Sequence, residues 1–180
     1  LTGFFSFLLS VTISFSQTNP GAQLLPFNLN SQTGGTLPAG VAVHRFGTTA
    51  GAIPTTRTLI PGNGDLPYVL TVGSGGWKDE AANGLSILAS GAQSAGALII
   101  AINTTGSTNI AVQWTTRLIL QNPSWDNNIA LQYRIGTTGN FIDIGTTSTF
   151  NTAGQVVGYS QTYLETLPAA AENQAVVQVR

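Results

Sequence analysis

Residues 109–144 decide the fold, and they read NIAVQWTTRLILQNPSWDNNIALQYRIGTTGNFIDI. The first half alternates, and the side chains on its apolar face are Ile110, Val112, Trp114, Thr116, Leu118 and Leu120. The second half alternates in the same way, with polar residues such as Gln132 and Arg134 opposite Ile129, Leu131, Tyr133 and Ile135. A period of two residues is typical of strands that bury one face. The turn formers at 122–127 therefore predict an antiparallel hairpin, and a tight turn then leads to a third strand.

Short strand-like runs also fill much of the remaining chain. The sequence predicts strands near 24–28, 41–46, 68–72, 85–90 and 97–103, a weaker alternation over 159–167 and one helical turn in 168–174. The continuous apolar run 97–103 is expected to be a central strand covered on both faces. We therefore expect an all-β fold, an antiparallel two-sheet β-sandwich that is jelly-roll-like. Because a strand pattern begins at 175 and the sequence ends at 180, the last strands of the sandwich are expected to be missing.

Composition narrows the function classes. With 180 residues, of which 42% are hydrophobic, the chain can build the core of one domain. Only 7% of its residues are charged, against about 25% in typical soluble domains, which indicates a secreted β-sandwich more than a cytosolic enzyme. The net charge of −1 gives no electrostatic reason to expect nucleic acid or an anionic membrane as a partner. The absence of cysteine excludes disulfides and thiolate metal sites, and no cofactor is expected.

The first residues have the pattern of a signal peptide. Residues 1–16 read LTGFFSFLLSVTISFS, in which an apolar run is followed by the small residues Ser14 and Ser16 of a cleavage site. The run is shorter than the roughly 20 residues of a membrane span. We expect a signal peptide clipped at its start in 1–16, a lead-in in 17–25 and the sandwich domain in 26–180. The mature chain would then be secreted or on the cell surface, without a membrane span. A buried N-terminal strand and a retained membrane anchor are the alternatives.

The side chains that usually perform catalysis are few and scattered. His44 is the single histidine, so it cannot form a multi-histidine metal site. Residues 92–96 (AQSAG) nearly match a nucleophile elbow, but an apolar strand pattern follows where an elbow requires a helix. Asp79 and Glu80 are neighbours in sequence, whereas the carboxylates of glycosidases face one bond from two sides. We expect no catalytic residue, no metal site and no enzymatic activity.

Two tryptophans in predicted loops are candidate ligand contacts. Trp77 lies in a predicted loop tip, and Trp125 lies beside Asp126 in the loop of the predicted hairpin. An aromatic ring on a loop can stack on a sugar ring while a neighbouring carboxylate bonds its hydroxyls. The same ring can instead fold back over the end of the sandwich core. Trp77, Trp125 and Asp126 are therefore the candidate binding residues, whereas Trp114 is expected in the core.

Four stretches carry a resemblance to a known family. They are GLSILAS at 84–90, ALIIAINTTGSTNIAVQWT at 97–115, LQYRIGTTGNFIDI at 131–144 and LPAAAENQAVVQVR at 167–180. Together they resemble the secreted, jelly-roll-like β-sandwich modules of multidomain Bacteroidota surface and exported proteins, over about 26–180. The resemblance implies further strands after 180, other domains in the same polypeptide and often a sorting domain for type IX secretion. It implies no catalytic residues.

Two functions are expected from these features. The first is a non-catalytic extracellular binding or adhesion module that recognises a glycan or a surface protein. The second is an accessory domain of a secreted hydrolase or nuclease whose catalytic domain lies beyond residue 180. Direct binding of nucleic acid by this domain is expected in neither case.

Overall fold

A computed structural model of the chain describes residues 19–29, 37, 39–45, 76–79, 84–88, 96–121, 126–145 and 149–180. Its regular elements are strands and one short 3₁₀ turn, Ala169–Ala171. The strands, in chain order, are β1 (Gln23–Leu24), β2 (Val41–Arg45), β3 (Gly76–Asp79), β4 (Leu85–Leu88), β5 (Gly96–Asn103), β6 (Ala111–Arg117), β7 (Asn128–Ala130), β8 (Gln132–Ile135), β9 (Ile142–Asp143), β10 (Thr149–Asn151), β11 (Ser160–Thr166) and β12 (Val177–Val179). The predicted all-β fold and the helical turn within 168–174 are confirmed. The predicted signal peptide and the strand predicted at 68–72 lie outside the described residues.

The largest sheet has six strands and is built around β5. Its order is β1-β5-β12-β8-β9, and β2 also pairs with β5. Strand β12 lies along one edge of β5, while β1 and β2 lie along the other, which confirms the central strand predicted at 97–103. Strand β1 is parallel to β5, so the sheet is mixed and not purely antiparallel. A parallel pair needs a long connection, and the chain between Leu24 and Gly96 supplies it.

The predicted hairpin between the two halves of 109–144 is wrong. Strand β6 pairs along its length with β11, which places Trp114 opposite Tyr163. Strand β7 pairs with β10, and β8 pairs with β12 and β9. Alternation shows which face of a strand is buried without specifying the neighbouring strand, so turn formers between two runs do not fix their pairing. The tight turn from β8 to β9 does form a hairpin as predicted, and Gly136 and Gly139 adopt positive φ there (76° and 84°).

The main core brings together residues of the large sheet and residues of the β6–β11 pair. The main cluster of buried residues comprises Ile102, Ile110, Leu131, Tyr133, Ile144, Leu167, Ala171, Val177 and Val179. Trp114 packs against this cluster and against a second one, and its ring stacks on Tyr163 with the ring centroids 4.5 Å apart. Trp114 is thus a core residue, as predicted. The prediction is wrong for Leu120, which is 67% exposed, because β6 ends at Arg117 while the alternating pattern continues.

Candidate functional site

The structure describes two of the three predicted contact residues, Trp77 and Asp126, and places them in or beside different sheets. Trp77 lies on β3, opposite Ile87 of β4, so the predicted loop tip is wrong. The short run from Gly76 to Asp79 is a strand because it pairs with β4 in a hairpin. Asp126 is exposed and precedes β7, which belongs to a different sheet. Trp125 lies outside the described residues.

A shallow cleft of about 410 Å³, largely open to solvent, lies where residues 25–27 meet residues 107–111. Leu25 and Phe27 pack against the main core cluster, so the apolar wall is held in place. The other wall contributes the hydroxyl and amide groups of Ser107, Thr108 and Asn109. All eight lining residues are uncharged. An apolar wall combined with a few hydrogen-bonding groups suits a small neutral ligand.

Thr104 fixes the loop that forms the polar wall. Its side chain is fully buried, and its hydroxyl donates to the carbonyl of Ala171 at 2.7 Å and accepts from the amide of Gln174 at 2.9 Å. Its own amide donates to the carbonyl of Gln174 at 2.8 Å, and its carbonyl accepts from the amide of Asn173 at 3.1 Å. A single residue thus joins the end of β5 to the segment that follows the 3₁₀ turn.

Two further bonds hold the loop between Thr104 and β6. The amide of Gly106 donates to the side-chain oxygen of Asn173 at 3.1 Å, and the amide of Asn109 donates to Oε1 of Glu172 at 2.8 Å. Asn109 has a φ of 52°, a left-handed conformation that asparagine tolerates better than most other side chains. The polar wall is therefore preorganised, which reduces the entropy that is lost when a ligand binds.

Polar side chains are also buried on the other face of the large sheet. The sequence predicts Gln132 and Arg134 on an exposed face, yet both are buried together with Gln178 and Arg180 of the β12 segment. Arg134 donates from Nε to Oε1 of Gln178 at 2.8 Å and from Nη1 to the carbonyl of Gly139 at 3.0 Å. Arg180 donates from Nε to Oε1 of Gln132 at 2.7 Å. The prediction fails because both faces of β8 are covered.

Phe141 lies beneath both guanidinium groups of this cluster. Its ring centroid is 4.4 Å from Cζ of Arg134 and 3.9 Å from Cζ of Arg180, within the range of cation–π attraction. Burial lowers the pKa of Arg134. Burial, and then the charge of Arg134, lowers the pKa of Arg180 to about 10, while Asp143 acts in the opposite direction. Both guanidinium groups are buried and hydrogen-bonded within the fold, so this cluster serves to join β8 to β12. The cleft is therefore the candidate ligand site.

Sequence reasoning missed the cleft because its two walls are separated by about eighty residues of chain and neither wall contains an aromatic–acidic loop pattern. One signal was present in the stretches that carry the family resemblance. The polar residues NTTG at 103–106 and ENQ at 172–174 lie in two different stretches, and the structure places them in direct contact. Their polarity thus serves the bonds that shape the cleft.

Comparisons with family models, curated proteins and solved structures found no match to this chain. Within the described residues, no helix is long and apolar enough to cross a membrane. The same part of the chain contains no group of three or more histidine, cysteine, aspartate or glutamate side chains that could hold a metal ion.

Proposed function

We propose that the chain is a non-catalytic binding or adhesion module of a larger secreted or cell-surface protein, and that its cleft recognises a glycan. The observation that carries this proposal is the uncharged cleft with one apolar and one braced polar wall. A sugar ring has an apolar face of C–H groups and a rim of hydroxyls. Pro26 and Phe27 offer apolar surface to such a face, and Thr108 and Asn109 offer hydrogen-bond partners to the hydroxyls.

The size of the cleft favours a glycan over a protein partner. Its volume of about 410 Å³ lies within the roughly 300–1,000 Å³ of small-ligand sites. A stable protein interface instead buries about 800 Å² on each partner, which needs far more residues than the eight that line this cleft. A glycan unit of one or two sugars is therefore the ligand class that we propose.

Features of the sequence support a secreted or cell-surface location. Residues 1–16 have the signal-peptide pattern, and charged residues make up only 7% of the chain. The resemblance to Bacteroidota export modules points in the same direction and adds other domains of the same polypeptide as partners. N-terminal sequencing of the protein recovered from an expressing host should begin at Gln17, whereas an intact 1–16 segment would contradict the proposed export.

A glycan array probed with the 180-residue chain tests the proposed ligand class. We expect binding to a restricted set of glycans, and titration calorimetry then gives the dissociation constant of the best one. Thr108→Trp should fill the cleft and weaken binding at least about tenfold, which corresponds to about 1.4 kcal/mol. Thr162→Trp is the matched control because Thr162 is exposed on β11, outside the cleft, and it should bind as the parent chain does.

Asn109→Gly separates the side chain of Asn109 from its backbone. Glycine adopts a φ of 52° without steric cost, so the loop keeps its shape while the amide group is removed. A lower affinity with an unchanged free energy of unfolding supports direct contact with the ligand. Failure to bind any glycan, or an equal loss of binding in Thr108→Trp and Thr162→Trp, would contradict the proposal.

A further inference from the structure

Four exposed aliphatic side chains lie on two neighbouring segments at the end of the β6–β11 pair that is distant from the cleft. We call them the aliphatic tip, and they are Ile119 (50% exposed), Leu120 (67%), Val156 (72%) and Val157 (59%). Backbone bonds place their two segments side by side. The amide of Leu118 donates to the carbonyl of Tyr159, and the carbonyl of Leu118 accepts from the amide of Gly158, both at 2.8 Å.

The two valines occupy a tight turn, where apolar residues are uncommon. The amide of Tyr159 donates to the carbonyl of Val156 at 3.0 Å, and Gly158 has a φ of 98°. Turns are usually built from Gly, Pro, Asn, Asp and Ser, and exposed β-branched side chains do not contribute to folding through burial. Together with Ile119 and Leu120, the valines leave four aliphatic side chains exposed on two neighbouring segments, and exposed apolar surface of this kind can serve as an interaction surface.

The size of the aliphatic tip argues against a stable protein partner, including a second copy of this chain. Four partly exposed aliphatic side chains offer on the order of 300 Å² of apolar surface. A stable protein interface needs about 800 Å² from each partner. A lipid bilayer needs no complementary shape, because any exposed aliphatic side chain gains free energy on transfer into it.

The charges on the strands that lead to the tip also fit a lipid surface. The flanking segments 110–121 and 149–164 contain no acidic residue, and their one charged residue is Arg117, which is exposed at the end of β6. Arginine can remain among the headgroups while its aliphatic stem covers apolar surface. We propose that the aliphatic tip inserts shallowly into the interface of a lipid bilayer. The contact rests on apolar surface, so it requires neither a basic chain nor anionic lipid.

This contact would orient the whole module. Strand β6 has seven residues, which at about 3.3 Å per residue separates the tip from the cleft by roughly 20 Å. The cleft would therefore face away from a bilayer that holds the tip. The inference stands independently of which ligand the cleft binds.

A reporter at one chosen position tests the proposal, because the chain has no cysteine of its own. Val157→Cys places an NBD fluorophore on the tip, and Leu164→Cys places it on β11 at another exposed aliphatic position (68%) outside the tip. Both proteins are the 180-residue chain, so residues 1–16 are present in each. On addition of phosphatidylcholine vesicles, we expect NBD emission at 157 to shift to the blue and rise severalfold, while emission at 164 stays as in buffer.

A second pair of variants measures how much the tip contributes to vesicle affinity. Leu120→Ser combined with Val157→Ser should weaken partitioning into phosphatidylcholine vesicles at least about tenfold, and Leu164→Ser should leave it unchanged. Three results would each overturn the proposal. They are no spectral change at 157, an equal change at 157 and 164, and a dimer in sedimentation velocity that the double substitution abolishes.

Discussion

The two ends of the β6–β11 pair differ in how the chain continues from the same two strands. At the cleft end, the segment that follows β11 is hydrogen-bonded to three residues of the loop before β6, which are Thr104, Gly106 and Asn109. At the other end, two backbone bonds of Leu118 and one turn close the pair, and the aliphatic tip stays exposed. Short polar side chains therefore hold the shape of the first end, while the second end offers apolar surface that folding does not use.

The largest effect on stability is expected from Thr104→Val, at the centre of the cleft end. Valine keeps the shape of threonine but removes the hydroxyl that serves the amide of Gln174 and the carbonyl of Ala171. Unsatisfied buried polar groups cost about 1–3 kcal/mol each, so the free energy of unfolding should fall by roughly 2–3 kcal/mol. Urea unfolding followed by tryptophan fluorescence measures this change.

Thr105→Val is the matched control for Thr104→Val, because the neighbouring Thr105 is exposed. Its free energy of unfolding should change by less than about 0.5 kcal/mol. Equal effects of the two substitutions would show that the Thr104 hydroxyl does not brace the loop. The comparison between the two ends of the pair would then lose its physical basis.

A smaller effect is expected from Glu172→Ala, which removes the carboxylate that accepts the amide of Asn109. This bond is exposed, so the free energy of unfolding should fall by only about 1 kcal/mol. Hydrogen exchange measured by NMR should report faster exchange of the Asn109 amide, because its acceptor is gone. Glu172→Gln keeps an oxygen acceptor and should restore most of the protection. Unchanged exchange in Glu172→Ala would show that the bond does not hold the loop.

The sequence predicted the all-β class and several buried faces, because burial of one strand face produces alternation in the chain itself. Ile110, Leu118 and Tyr133 are buried as the alternation requires. The partner of β6 was not predictable, because β11 lies far along the chain and pairing depends on tertiary packing. Arg134 was expected to be exposed for a related reason, since alternation cannot indicate that the polar side of a strand is also covered.

The candidate site was not predictable from local patterns for a different reason. Their residue types make Trp77 and Asp126 candidate contacts, but the structure places them in or beside different sheets. The cleft instead depends on ordinary residues such as Phe27 and Thr108, which have no distinctive pattern. Their placement depends on contacts between distant segments, because bonds to residues 171–174 hold the polar wall and packing against the core holds the apolar wall.

Tyr163 lies within the β6–β11 pair, and its substitution tests whether that pair depends on polar bonds. Its hydroxyl is buried and has no hydrogen-bond partner among the described residues, so Tyr163→Phe should keep the stack on Trp114 and raise the free energy of unfolding by about 0.5 kcal/mol. Burial, followed by the neighbouring Tyr159, raises the pKa of Tyr163 above its usual value of 10.0. The folded chain therefore holds this proton more tightly than the unfolded chain does.

The pH dependence of Tyr163→Phe follows from that difference. The protonated Tyr163 hydroxyl contributes to the free energy of unfolding. This contribution is complete below pH 10 and is lost as pH rises through the higher folded-state pKa. The parent chain should accordingly lose more stability than Tyr163→Phe above pH 10, as measured by urea unfolding at neutral and alkaline pH. A loss of more than about 1 kcal/mol in Tyr163→Phe at neutral pH would indicate that the hydroxyl has a stabilising partner.

The smallest effect on stability is expected at the aliphatic tip. Leu120 and Val157 keep most of their surface in solvent, so the double substitution Leu120→Ser and Val157→Ser removes little buried apolar area and should change the free energy of unfolding by less than about 0.5 kcal/mol. A loss above roughly 1.5 kcal/mol would show that the tip packs within the fold and is not a free surface. An unchanged free energy of unfolding in the tip variant, combined with weaker binding to vesicles, would separate the two ends in function as well as structure. Thr104→Val would then reduce stability, while the tip variant would reduce only membrane contact.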